Sequence, residues 1–123
     1  MAAYLNVEVY DSGLDWVETK ATRLDICSQQ PTDYTGATST YSLGNKTSIS
    51  VAAPSDRAGG GREVIIAAIT DGEVTATGTA SHWALTDGTS ILVAAGPLSA
   101  SQAVTDGNTF TLTSFAIGIP APA

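Results

Sequence analysis

The sequence predicts an all-β fold: one single-domain β-sandwich, jelly-roll-like or immunoglobulin-like, of about eight or more short antiparallel strands. Three observations carry that prediction. Apolar and polar residues alternate over many short stretches of the 123-residue chain. Turn-forming Gly, Pro, Asp and Ser recur roughly every ten residues, as in sandwiches and barrels. Ala, Thr, Gly and Ser make up about half the chain, whereas Leu, Glu, Lys and Arg are thin. Thr favours strands, and the scarce residues are the helix formers.

Each element follows from its local pattern. Tyr4 to Tyr10 (YLNVEVY) places Leu5, Val7 and Val9 opposite Asn6 and Glu8, which predicts a half-buried strand. Residues 1–11 are thus expected to form an N-terminal strand or arm. Asp11-Ser12-Gly13 is a turn, and Trp16 to Thr19 fits a short second strand. Arg23 to Ser28 sets Leu24 and Ile26 opposite Asp25 and Cys27. Residues 30–36 form a loop with room for one helical turn after Pro31. Tyr41 to Leu43 and Lys46 to Val51 follow as strands.

Residues 53–61 (APSDRAGGG) are the longest run of breakers and predict a flexible Gly-rich loop. Arg62 to Thr70 is the most apolar strand and belongs at the centre. Asp71-Gly72 and Asp87-Gly88 each stand between apolar stretches, the pattern of two-residue hairpin turns with positive φ. With such a turn at Asp87-Gly88, Trp83 pairs with Leu92, and both faces of the hairpin are apolar. Either a loop or another subunit covers the second face, and the latter points to a homo-oligomer. Ala100 to Thr105 and Thr109 to Ile119 complete the strands, and Pro120 stops the last one.

Composition removes several functions. With five Lys plus Arg against twelve Asp plus Glu, the net charge is −7, which disfavours nucleic acid. No stretch approaches the roughly 20 apolar residues of a spanning helix, and the N-terminus has no basic, apolar signal pattern. No membrane partner is expected, and synthesis in a cytosol is. The single cysteine, Cys27, rules out an intrachain disulfide and a multi-thiolate zinc site. No cofactor or metal is expected.

The candidate chemistry is sparse. His82 is the only histidine, and its neighbour Ser81 is expected on the opposite face of a strand. Gly-x-Ser-x-Gly is absent. Cys27 reads as a buried, inert thiol. Arg57-Ala-Gly-Gly-Gly-Arg62 lacks the Lys-Ser/Thr ending of a phosphate loop and precedes a strand. No carboxylate pair stands out for acid–base work. The expectation is a protein that is not an enzyme. Its candidate partner-binding residues are Tyr4 on the N-terminal strand and Arg57 and Arg62 on the Gly-rich loop.

Two segments, LDICSQQPT at Leu24 to Thr32 and SHWALTDGTSILVAAG at Ser81 to Gly96, carry a resemblance. It extends through Leu98 and Val104 to Gly107-Asn108-Thr109-Phe110, and covers roughly residues 22 to 119. The pattern is a Ser-His-x-Ala-Leu strand (Ser81, His82, Ala84, Leu85), an Asp-Gly turn and a strand ending in Gly-x-Leu. It resembles the small β-rich virion structural proteins of tailed bacteriophages, the head decoration and tail accessory proteins. The resemblance implies a non-enzymatic virion component made in the bacterial host cytoplasm. Its partners would be the major capsid protein or tail and neck proteins. Small size, an acidic exterior and a docking loop favour capsid decoration or cement. The alternative is a tail, neck or fibre component, with receptor or carbohydrate binding as a variant that Trp16, Tyr34 and Tyr41 would serve.

Overall fold

A computed structural model describes residues 5–121. Strands account for 48% of it and helix for 18%, so β-structure dominates but is not the whole. The chain opens with helix α1 (Val7–Lys20). Strands β1 (Arg23–Cys27), β2 (Ser42–Thr47), β3 (Ser55–Asp56) and β4 (Arg62–Ile66) follow. Next come β5 (Ile69–Val74), β6 (Gly78–Thr86), β7 (Leu92–Val104), β8 (Thr109–Leu112) and β9 (Phe115–Ile119).

Helix α1 corrects the expected N-terminal strand over residues 1–11, and the short strand at Trp16 to Thr19 as well. Tyr4 and the three residues before it lie outside the described residues. The helix wins because its apolar residues also repeat at helical spacing. Tyr10, Leu14, Val17 and Ala21 fall on one face, and Tyr10, Leu14 and Ala21 are buried. The side chain of Asn6 caps the start by accepting from the Glu8 N–H at 2.8 Å. Lys20 in the last turn suits the negative end of the helix dipole. The alternation that suggested a strand is left outside, with Val7 and Val9 exposed. This arrangement gives a direct expectation for urea unfolding. Leu14→Ala should cost about 2 kcal/mol, while Trp16→Ala on the outer face should change stability by less than about 0.5 kcal/mol. A strand would bury Trp16 alongside Leu14 and make the two losses similar.

The strands form two antiparallel sheets. The larger has the order β7-β6-β1-β2-β5-β8 and curls into a half-barrel; the smaller has the order β3-β4-β9. One core joins them. Leu24, Ile26 and Leu85 from the large sheet meet Val64 and Ile66 from the small one, with Leu14 of α1 packed in. Trp83 of β6 and Phe115 of β9 stack across the junction with centroids 4.6 Å apart.

The large sheet is covered on its other face too. After Pro31 the chain makes a π-helical turn, Gly36–Thr40, closed by Tyr41 N–H to Gly36 O at 2.9 Å. Ala37 on this turn packs against Cys27 and Ala84, with Tyr41, Leu92 and Ala95 around them. A loop therefore covers the second apolar face of the β6–β7 hairpin. That is why four consecutive residues of β1, Leu24 to Cys27, are buried.

The Asp-Gly turns differ from expectation. The β6–β7 connection spans residues 87–91 rather than two residues, and Trp83 pairs with Gly96 instead of Leu92. The Asp87 carboxylate organises this longer turn by accepting from the N–H groups of Thr89, Ser90 and Ile91 at 2.9, 2.9 and 3.0 Å. Those bonds, that to Ile91 first, hold its pKa below the usual aspartate range. Asp71-Gly72 is no turn at all. Both residues lie within β5, where the Phe110 ring of the paired strand occupies the space a Cβ on Gly72 would need. Aromatic cover of a cross-strand glycine explains Trp83 over Gly96 as well.

Candidate functional site

The three residues singled out for partner binding meet different fates. Tyr4 is outside the described residues. Arg57 sits in the β3–β4 connection, where its Nη1 donates to Gly60 O at 3.1 Å and its chain lies against Gly118. Residues 53–61, expected as a flexible loop, contain β3 and a tight turn with Gly59, Gly60 and Gly61 all at positive φ. Arg62 is engaged within the fold. Its guanidinium meets Asp11 of α1 at 3.0 and 3.3 Å, Asp56 at 2.7 Å and Pro54 O at 3.3 Å. It fastens the helix to the small sheet, and both carboxylates raise its pKa further, Asp11 first.

A polar cluster the sequence did not mark lies in the core. Asp25 on β1 is completely buried. It receives Arg23 Nε at 2.8 Å, Arg23 Nη2 at 3.0 Å and Ser42 Oγ at 2.6 Å. The hydrogen bond to Asp25 raises the Arg23 pKa, against the opposing effect of burial. Every oxygen of the carboxylate has a partner, so the cluster is a satisfied ion pair with a structural task. Alternation sets Asp25 opposite Leu24 and Ile26, on the face that is wet in a half-buried strand. The cover supplied by residues 34–41, which no β1 pattern announces, makes it dry.

Cys27 lies one turn of pleat beyond, fully buried, with Sγ 3.5 Å from Ala37 O. Burial first, and the Asp25 charge second, push its thiol up to about 12 from an ordinary 9.0. At pH 8 the folded chain then holds about a thousandth of the thiolate of the unfolded chain. Alkylation by iodoacetamide is expected to be slower by about that factor until urea unfolds the protein. The folded thiol keeps its proton to higher pH than the unfolded one. Stability from this group is therefore level below about pH 9 and declines as pH rises from there towards 12.

Ser81 and His82 do come together, contrary to the expectation of opposite faces. Pairing between β6 and β7 shifts register between Ala80 and His82, and this irregularity turns Ser81 Oγ to within 2.8 Å of His82 Nδ1. The hydroxyl also lies 3.0 Å from Ser28 O and donates its one proton there when His82 Nδ1 is the donor to Ser81. Among the described residues, no carboxylate forms an ion pair with His82 and no cluster of His, Cys, Asp or Glu has the arrangement of a metal site. No helix among them is long and apolar enough to cross a membrane.

One concave feature among the described residues is a groove of about 500 Å³. Pro97, Leu98 and Ser99 of β7 form one side, and the run Leu112 to Ala116 across β8 and β9 forms the other, with Trp83 between them. The groove therefore lies where the large sheet stops short of closing. Its lining is apolar and hydroxyl-bearing, with no charged side chain. Sequence reading assigned Trp83 to the hairpin and saw no groove, because the approach of β7 to β8 depends on the curl of the whole sheet.

No protein-family model, no curated protein and no solved structure matches the chain.

Proposed function

We propose that the chain is a non-enzymatic structural protein of a tailed-phage virion, most naturally a capsid decoration or cement protein acting through protein–protein contacts. The observation that carries this reading is the resemblance at Leu24 to Thr32 and Ser81 to Phe110. In the structure these segments form β1, the β6–β7 hairpin and the approach to β8, the body of the large sheet. The same reading takes the two sheets, which share one core, as the faces of an incompletely closed β-sandwich of jelly-roll or immunoglobulin type. Further support comes from how the polar groups are used. Arg23, Arg62 and Asp25 serve internal ion pairs rather than converging on a cleft. The β3–β4 hairpin with Arg57, and the exposed Val9 and Trp16 of α1, remain as contact surfaces.

Copy number tests the proposal. Purified particles are digested and this chain is quantified against the major capsid protein by mass spectrometry. Hundreds of copies support decoration. Six or twelve copies support the neck or tail alternative. Absence from clean particles overturns the virion reading.

A further inference from the structure

We propose that residues 29–40 form a lid that lifts off the large sheet as one body while both sheets stay folded. The proposal holds whether or not the chain belongs to a virion.

The lid is closed on itself. It leaves the sheet after β1 and returns to it at β2, and Ser28 N–H donates to Tyr41 O at 3.0 Å across its base. A compact surface loop with ends this close packs on itself. Its own bonds hold its shape. Gly36 N–H donates to Asp33 Oδ1 at 2.7 Å, Ala37 N–H to Asp33 O at 3.1 Å and Thr38 Oγ1 to Tyr34 O at 2.9 Å. The π-helical turn closes through Tyr41 N–H to Gly36 O. None of these bonds need break when the lid lifts.

What fastens the lid to the sheet is slight. Among the described residues, one hydrogen bond joins residues 29–40 to the strands below, from Cys27 Sγ to Ala37 O at 3.5 Å, and a thiol is a weak donor. No ion pair among those residues crosses the gap. The buried residues of the lid are Pro31, Gly36 and Ala37, with Tyr34 and Thr38 half-buried, so its apolar contact is small. Below it lie Cys27, Ala84 and the carboxylate of Asp25, all fully buried. Opening returns water to the Asp25–Arg23 pair. That relieves the desolvation the pair suffers under the closed lid and offsets part of the lost contact. A segment held this way opens at lower cost than the whole fold. The main core is held differently, since Leu14, Leu24, Ile26, Val64, Ile66 and Leu85 interlock α1 with both sheets.

Cys27 reports the opening, because a reagent reaches this buried thiol when the lid is up. The test labels the native full chain in urea below the unfolding transition. It uses two reagents, small neutral iodoacetamide and the bulkier, charged dithiobis-nitrobenzoate. The native rate, divided by the rate in the unfolded chain, should be the same for both. It should change little with urea, since opening exposes little surface. Ala37→Glu, at a position with no exposed surface, cannot close under the lid and should raise the native rate at least tenfold. Leu14→Ala, which weakens the main core, should leave the native rate unchanged. Labelling through global unfolding would instead rise steeply with urea. It would also rise about thirtyfold in Leu14→Ala, the factor that matches the stability loss expected of that variant. That result would overturn the proposal. So would native labelling by iodoacetamide alone, which would mean a small reagent slipping past a closed lid. No native labelling by either reagent would overturn it as well. Global unfolding of Ala37→Glu would do the same, since a lid that opens by itself does not take the fold with it.

Discussion

Replacing Asp25 with alanine is expected to destabilise the protein by about 4 kcal/mol, a large share of the 5–15 kcal/mol that holds a domain together. The carboxylate is fully buried and takes two hydrogen bonds from Arg23 and one from Ser42. Removing it leaves the Arg23 guanidinium, whose side chain is only 23% exposed, without its counter-ion. It also strands the Ser42 hydroxyl, although Gly44 O at 3.3 Å offers that group a poorer acceptor. Urea unfolding followed by tryptophan fluorescence measures the loss. The double variant Arg23→Met with Asp25→Leu should regain most of it, because exchanging a buried pair for apolar groups removes both desolvation costs together. A single-variant loss below about 1 kcal/mol would mean that water reaches this pair and that residues 34–41 do not seal the sheet.

Gly44→Val is expected to cost about 3 kcal/mol or more, through overpacking at the narrowest ladder of the large sheet. β2 and β5 pair over only Gly44↔Val74 and Asn45↔Glu73. That short ladder joins the β7-β6-β1-β2 half of the sheet to β5-β8. A Cβ on Gly44 would overlap the Glu73 carbonyl oxygen and lie 3.1 Å from Val74 Cα. These are main-chain atoms, which cannot swing aside as a side chain can. The two halves must separate or β2 must shift register, and a one-residue shift would turn buried Leu43 outward. Circular dichroism and the urea midpoint report the loss. Gly107→Ala makes the comparison at a glycine with open space around it. Its φ of 91° adds backbone strain, but there is no clash.

These two positions also show what could be read from the chain and what could not. The β-rich class, a strand within Arg23 to Ser28 and the helical turn after Pro31 were legible from alternation and breakers alone, whereas the single strand expected over Arg62 to Thr70 is divided between β4 and β5, which lie in different sheets. The buried state of Cys27 was legible too. Helix α1 was misread because residues 5–9 alternate while residues 10–21 repeat at helical spacing, and the longer pattern buries more. The Asp71-Gly72 pair failed as a turn because Gly72 is used for room under Phe110 rather than for positive φ. The burial of Asp25 escapes the alternation because its cover comes from residues 34–41, nine to sixteen positions further along the chain. The Ser81–His82 contact depends on a register shift between two strands, and the groove on the curl of six. Neither is a property of any local stretch.

The central claim is that this chain serves a virion as a passive structural part, with the head as its place. The most direct measurement is the temperature at which particles release their genome, read with a DNA-binding dye. It is made on particles from a phage deleted for this gene, before and after adding back the purified protein. The account predicts early release from the deleted particles and recovery of the parental temperature once the folded chain rebinds. Identical release temperatures in all three samples, with no rebinding of the added protein, would contradict it.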